Sequence, residues 1–354
     1  MTEGLPILHD RAVRGFASDN YAGVHPEVLA AIARANGGHQ TAYGEDVYTA
    51  RLQEVFKEHF GDRVEAFPVF NGTGANVVAL QAVTQRWESV ICTASAHIHV
   101  DECAAPERMG GLKLTTVPTP DGKFTPSLID TVAIRLNDEH HAQTKVVSIT
   151  QTTELGTAYS VEEIAAIAEH VHTRGWVLHV DGSRLSNAAA TLGVSFKQMI
   201  TDTGVDILSF GGTKNGLMLG EAVLLLNPDV VTGMKYLRKQ SMQLASKMRF
   251  VSTQLEALLT DSLYLRNASH ANAMARSLAD RVRDIPGLQI PRPVQANAVF
   301  AILPIAVSER LMENFRFYFW DEATGEVRWM CAFDTTEEDV EIFAAAIRAE
   351  MAVG

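Results

Sequence analysis

With 354 residues, 47% of them hydrophobic and 20% charged, the chain is long enough to form one large domain and a smaller one beside it. A net charge of −12 argues against a nucleic-acid or anionic-membrane partner, and no run of about 18 apolar residues is present to cross a bilayer. Cys92, Cys103 and Cys331 lie without CxxC spacing and the segment 1–14 lacks the apolar run of a secretory signal, so the expected setting is the reducing cytoplasm.

A helix is predicted over 25–35, with Pro26 suited to its first turn and Gly37-Gly38 closing it. A second runs over about 48–60, where Leu52, Val55, Phe56 and Phe60 recur at helical spacing. Strands then alternate with helices: strand 66–70, a helix from Ala75, strands 89–93 and 113–117, a helix over 127–137, strand 145–150 and a helix over 161–174. Strand 176–180 leads into Asp181, strand 205–210 precedes a glycine-rich turn, and 221–226 returns. A long helical region is expected from about Ser241 through 255–259 and 271–282, followed by short elements at 298–302, 317–319, 328–333 and 337–351. This alternation predicts an α/β fold with a mostly parallel sheet covered on both faces, whose ligands sit beyond the strand carboxyl ends. The expected domains are an N-terminal segment, 1–25, packing with the small domain; a large domain, 26–250; and a small C-terminal α+β domain, 251–354.

Two segments carry most of the chemistry: His179-Val180-Asp181-Gly182-Ser183-Arg184 and Gly211-Gly212-Thr213-Lys214-Asn215-Gly216. Asp181 and Lys214, 33 positions apart, each follow the carboxyl end of an apolar strand. That pairing is what a pyridoxal phosphate enzyme needs. The lysine amine forms a Schiff base, and the carboxylate keeps the ring nitrogen protonated so that the ring acts as an electron sink. Thr213 offers a hydroxyl for the phosphate. Asn71-Gly72-Thr73-Gly74-Ala75-Asn76 joins a strand to a helix, and its small residues let backbone N–H groups approach an anion; such turns are also common as purely structural ones. It is not a P-loop, and the third glycine of a dinucleotide fingerprint is missing, which counts against an NAD(P)-binding oxidoreductase. His97 has two readings: a ring stacked on a cofactor, or a zinc ligand with His99, Asp101, Glu102 and Cys103, for which no matching pair lies downstream. His140 and His141 read, by themselves, as surface residues.

Joined with Phe16-Ala17-Ser18-Asp19-Asn20-Tyr21 and Ala42-Tyr43-Gly44-Glu45-Asp46, these motifs resemble the low-specificity L-threonine aldolases. Those are pyridoxal phosphate enzymes of the aspartate-aminotransferase-like fold, fold type I, and the likeness runs from about Phe16 to Ile347. Leu244-Ala245-Ser246-Lys247-Met248-Arg249 is similar to the branch that includes phenylserine-cleaving aldolases. The resemblance implies reversible retro-aldol cleavage of L-threonine, L-allo-threonine and related β-hydroxy-α-amino acids, L-phenylserine among them, to glycine and an aldehyde. It implies Lys214 as the Schiff-base lysine, Asp181 at the ring nitrogen, Gly72 and Thr73 under the phosphate, and His97 stacked on the ring. Ser18, Arg184 and Arg328 would hold the substrate carboxylate, and His140 would lie near the substrate hydroxyl. Tyr43 would reach a neighbouring subunit's site in a homotetramer built as a dimer of dimers. The base for the hydroxyl proton is His97, His140 or an ordered water. Thr213 and Ser183 stand where the family commonly has Ser and Ala, and Lys239, Lys247 and Arg249 fall where members place cations near the phosphate. A β-eliminating lyase, an aminotransferase or a racemase on the same fold is the alternative. The intact Lys, Asp and Arg set counts against a non-catalytic descendant, and no metal, nucleic acid or membrane partner is expected.

Overall fold

The computed structural model describes residues 6–353. The chain enters through α1 (Pro26–Arg34) and α2 (Val47–Phe60). Asp46 caps α2 by accepting the Thr49 N–H at 2.8 Å, and Gly61, at φ +100°, ends it. β1 (Glu65–Val69) leads into α3 (Gly72–Val83), β2 (Glu88–Thr93), the one-turn helices α4 (His97–Val100) and α5 (Ala105–Arg108), β3 (Lys113–Val117), α6 (Pro126–Asp130) and β4 (Gln143–Thr150). α7 (Val161–His172) begins with a reciprocal cap between Ser160 and Glu163 and buries Ile164, Ile167, Ala168 and Val171 along one face. β5 (Val177–Gly182), α8 (Leu185–Leu192), β6 (Ile207–Gly211) and β7 (Glu221–Leu225) complete the large sheet.

Its seven strands lie in the order β1-β7-β6-β5-β4-β2-β3. β6, β5, β4, β2 and β3 are parallel, and β7 runs antiparallel to both β6 and β1. Every residue of β5, β6 and β7 is buried, as expected of strands with helices on both faces. Alternate side chains feed opposite layers. Ile207 and Val223 pack with Val78 and Ala79 of α3, whereas Leu208, Phe210 and Leu224 pack with Phe56, Phe60 and Phe196. The carboxyl ends of β2, β4, β5 and β6 therefore share one edge of the sheet.

The chain continues through α9 (Met234–Gln240), α10 (Arg249–Leu259), α11 (Leu263–Val282), β8 (Ala298–Ile302), α12 (Ile305–Met312), β9 (Tyr318–Asp321), β10 (Glu326–Met330) and α13 (Glu337–Val353). β8, β10 and β9 form a small antiparallel sheet. A second apolar core joins Leu278, Val299, Trp329, Phe343 and Ile347 to Phe16 from the N-terminal segment. Phe16 stacks on Phe343 at 4.3 Å, donates its N–H to the Arg316 carbonyl at 2.7 Å and accepts the Met330 N–H at 2.8 Å. This strap delivers the next residues, Ser18 and Asp19, to Arg184 beyond β5. Among the described residues, no helix is long and apolar enough to cross a membrane.

Three expectations change. The helix expected over 127–137 stops at Asp130, because Thr131 Oγ1 bonds back to the Leu128 carbonyl at 2.7 Å and Arg135 and Asn137 take φ of +55° and +62°. The long helical region expected from Ser241 begins instead at Arg249, since Met242 has φ +61°, and left-handed Asp261 and Ser262 divide α10 from α11. The short helices α4, α5, α8, α9 and α12 lie outside the expected elements.

Gly211 lets β6 end against the turn after β5, because a Cβ there would overlap the Ser183 backbone. Gly211→Ala should push these strand ends apart and destabilise the fold by ~2–3 kcal/mol in urea unfolding. A variant with wild-type stability would contradict so close an approach.

Candidate active site

Asp181 is buried at the carboxyl end of β5, paired with Thr150 of β4 and Ser209 of β6. Its Oδ2 accepts from Asn76 Nδ2 at 2.8 Å, and its Oδ1 accepts the Ser183 N–H at 3.0 Å. The same Asn76 nitrogen also donates to Glu102 Oε1 at 2.8 Å, and that oxygen accepts from His97 Nδ1 at 2.8 Å. The His97 backbone N–H donates to Glu154 Oε1 at 2.8 Å, an atom that also accepts from Thr150 Oγ1 at 2.8 Å. One chain of hydrogen bonds thus links α3, α4 and the ends of β4 and β5. Burial works to raise the Asp181 pKa, and the charge of His97, the Asn76 bond and Lys214 outweigh it, keeping the carboxylate below its usual range. The Glu102 bond raises the His97 pKa above the ordinary histidine value, with burial opposing and Asp181 assisting. Burial dominates at Glu154 and pushes its carboxyl up.

The donor atoms of His97, Glu102 and Asp181 lie within 4.8 Å of one another, but Asn76 and the direct His97–Glu102 bond already join them. His99, Asp101 and Cys103 are exposed and stand outside the group, so the five-residue zinc cluster weighed from the sequence does not assemble.

Lys214 is half-buried in a 3-10 turn, Thr213–Asn215, that follows β6 and closes on Gly216 at φ +105°. Asn215 Nδ2 donates to the Tyr264 carbonyl at 3.0 Å and Asn267 Nδ2 donates to the Asn215 carbonyl at 2.8 Å, fastening the turn to α11. Burial, helped by the Arg184 charge, makes the lysine less basic than usual, against the pull of Asp19, Asp181 and Glu221. Thr213 Oγ1 accepts the Gly220 N–H at 3.1 Å.

Arg184 grips Asp19 with both arms, Nε to Oδ2 at 2.7 Å and Nη2 to Oδ1 at 2.9 Å, and Asn297 Nδ2 adds a third bond to Asp19 at 3.0 Å. Burial would raise the Asp19 pKa, yet Arg184 holds it below the normal carboxylate range. Arg328 of β10 is far less well partnered. Its Nη2 reaches the Ala17 carbonyl at 3.3 Å, its guanidinium lies 5.3 Å from the Trp320 ring, and its buried Nε has no partner. Burial and the neighbouring Arg184 charge lower its pKa to about 10. Such a guanidinium is prepared for an anion. Ser18 caps the short turn Asp19–Tyr21, its Oγ accepting the Asn20 N–H at 3.2 Å.

At the start of α3, Asn71 Oδ1 accepts the Gly74 N–H at 2.8 Å. A Cβ on Gly72 would meet nothing within 4 Å, so the helix start beside Gly72 and Thr73 is open to a ligand. An open helix N-terminus for a phosphate, a weakened lysine amine, a buried carboxylate and a guanidinium with an unpartnered Nε together fit pyridoxal phosphate and an amino acid.

Not every expected residue joins this group. His140 is exposed at the amino end of β4, the opposite edge from Thr150, and its N–H donates to Asp138 Oδ1 at 2.9 Å. Its own chain therefore keeps it from the Asp181 and Lys214 edge, since a strand's length separates the two ends. Tyr43 is also exposed, at φ +62°, with its N–H on the Ser246 carbonyl at 2.9 Å and Lys239 Nζ 4.9 Å from its ring. Lys247 is exposed, and Arg249 reaches the Gly38 carbonyl at 3.3 Å. Conversely, sequence reasoning missed the roles of Asp19, Asn76, Glu102, Glu154 and Glu221. It also missed His179, two residues before Asp181, whose Nδ1 meets Ser148 Oγ at 2.8 Å and Nε2 meets Ser209 Oγ at 3.0 Å; burial lowers its pKa to about 4.

The mixed sheet, the lysine after β6, the aspartate ending β5 and the open start of α3 define a fold type I pyridoxal phosphate enzyme. A family model described as beta-eliminating lyase matches residues 15–306. The low specificity L-threonine aldolase of Pseudomonas aeruginosa is 46% identical over 95% of this chain and 97% of its own. Its counterpart from another Pseudomonas strain is 45% identical over the same shares. A solved threonine aldolase structure from Leishmania major superposes with a TM-score of 0.89 at 28% identity, covering 95% of this chain and 99% of that one. The chain belongs to the beta-eliminating lyase family, within its low-specificity L-threonine aldolase group.

Because the Glu102 bond raises the His97 pKa, its contribution to stability is fully present below the ordinary value of 6.5 and is lost as pH rises through the raised value. Glu102→Gln should therefore lower the His97 titration midpoint, followed by NMR of its imidazole. An unchanged midpoint would contradict the assigned bond.

Proposed function

We propose that the protein is a pyridoxal-phosphate-dependent aldolase that cleaves L-threonine, L-allo-threonine and related β-hydroxy-α-amino acids, L-phenylserine among them, to glycine and an aldehyde, reversibly. The observation that carries this reading is the convergence of Lys214, Asp181 and Arg184 at one edge of the large sheet, with Arg328 brought near Arg184 from the small sheet, in a chain 46% identical to a low-specificity L-threonine aldolase along nearly its whole length.

When bound, pyridoxal phosphate supplies the sink for the electron pair released as the Cα–Cβ bond breaks. Lys214 is the amine that would hold it covalently, and its weakened basicity favours the neutral, nucleophilic form. Asp181, kept ionised by its partners, would hold a proton on the ring nitrogen. Gly72, Thr73 and the Thr213 hydroxyl would take the phosphate. Arg328 offers its unpartnered Nε to the substrate carboxylate, with Arg184 and Ser18 beside it, and this clamp sets which bond at Cα is aligned to break. His97 has Nδ1 committed to Glu102, so Nε2 is the nitrogen left to take the β-hydroxyl proton, while the same ring serves as a stacking surface. As that proton moves to Nε2, the β-carbon becomes the aldehyde carbonyl, the bonding pair passes to Cα, and protonation at Cα gives glycine.

The same reading makes the enzyme a cytoplasmic homotetramer. Tyr43, exposed and in a left-handed conformation, suits a loop that serves a neighbouring subunit, and the buried free thiols of Cys92 and Cys331 suit a reducing compartment.

Cofactor-loaded protein given L-threonine, L-allo-threonine or L-phenylserine should release aldehyde, and Lys214→Ala should lower that rate by more than about a thousandfold. Aldehyde release that survives in Lys214→Ala, or that is absent from the loaded wild type with all three substrates, would overturn the assignment.

A further inference from the structure

Glu221 opens β7 between Val69 of β1 and Gly211 of β6, and it is buried. A carboxyl group inside a sheet needs partners, and this one finds them in the lysine turn. Its Oε2 accepts the Gly212 N–H at 2.6 Å, and its Oε1 accepts the Thr213 N–H more loosely, at 3.4 Å. These are the backbone N–H groups of the two residues immediately before Lys214. Thr213 Oγ1 accepts the Gly220 N–H at 3.1 Å, so the β6–β7 connection is closed at both ends around this carboxyl group. We infer that Glu221 is a positioning residue for Lys214, its carboxylate clamping the peptide groups that present the lysine and acting as the lysine's buried counter-charge. The inference rests on Lys214 being the cofactor-binding amine.

Lys214 is the charged group that acts on Glu221. From the other elements around it, β1 presents Val69, β6 presents Gly211, and α3, which packs on both β6 and β7, carries no charged residue. Burial raises the Glu221 pKa to about 7, against the pull of its hydrogen bonds and the lysine. The other carboxylates and the arginine that act on Lys214 are fixed near neutrality: Asp19 and Asp181 are held below the usual carboxylate range, and Arg184 is held above its own. Glu221 is therefore the acid beside Lys214 whose charge changes there; His97, which also feels the Lys214 charge, is the titrating base and is left unaltered in both variants below. Ionised, at higher pH, it supports the protonated lysine; protonated, at lower pH, it withdraws that support.

The test uses Glu221→Gln, which keeps the shape and removes the charge, and Glu221→Asp, which keeps the charge. In the cofactor-free proteins, the pH dependence of Lys214 acylation by acetic anhydride is read by peptide mass spectrometry; in the loaded proteins, the bound cofactor's absorbance is titrated. The Lys214 acylation midpoint should fall by about one pH unit in Glu221→Gln, with the absorbance transition moving the same way, while Glu221→Asp titrates close to wild type. Wild-type midpoints in Glu221→Gln, or an equal shift in Glu221→Asp, would overturn the counter-charge role. Failure of the underlying reading is separately visible, because borohydride reduction of the loaded wild type would then mark a lysine other than Lys214.

Discussion

The site depends on a charge balance kept largely out of water. Two cations, Lys214 and Arg184, stand among three buried carboxyl groups, Asp19, Asp181 and Glu221. A buried charge left without a partner costs several kcal/mol, so each group must be placed by backbone that cannot drift. Strand ends meet that need. β5 ends on Asp181 and leads to Arg184, β6 leads to Lys214, and β7 begins with Glu221. Asp19, the one acid from outside the large sheet, arrives on a strap fixed by Phe16 against the small sheet.

That strap also explains how the two sheets share one site. The backbone of residues 16 and 17 bonds to Met330 and Arg328, neighbours along β10, while Met330 Sδ lies 3.1 Å from Arg184 Nη2. The paired guanidinium and the one with an unpartnered Nε are thus brought near each other from different sheets. Arg184 has its charge satisfied by Asp19 and orders the wall. Arg328 keeps an open donor, and in the proposed reaction a substrate carboxylate would offset the cost of burying it.

Much of this was legible in the sequence, for physical reasons that differ by element. The strands 66–70, 89–93 and 113–117 fell within one residue of their observed ends; 89–93 is a continuous run buried throughout, while the other two are the partly exposed edge strands of the large sheet. Asp181 and Lys214 stood out as a pair: either alone reads as an ordinary cap or surface residue, but a carboxylate and a lysine each following an apolar strand, in glycine-rich turns, match a pyridoxal phosphate site. Asn76, Glu102 and Glu154 could not be found that way. Their importance comes from hydrogen bonds between α3, the α4 region and the loop after β4, contacts that no local pattern records. His140 failed in the opposite sense: a position likened to a family residue says nothing about which edge of the sheet the chain has reached. The helix expected at 127–137 failed because side-chain bonding at Thr131 and left-handed residues outweighed its apolar spacing.

The central claim is that the bond broken is Cα–Cβ, with the amino group left on the two-carbon product. Following uniformly carbon-13-labelled L-threonine by NMR with the loaded enzyme tests it most directly. The account predicts labelled glycine and acetaldehyde appearing together in equal amounts, with no other labelled product. Labelled 2-oxobutyrate would show β-elimination, and D-allo-threonine or a keto acid formed with a pyridoxamine cofactor would show racemisation at Cα or transamination; any of these in place of glycine would contradict it.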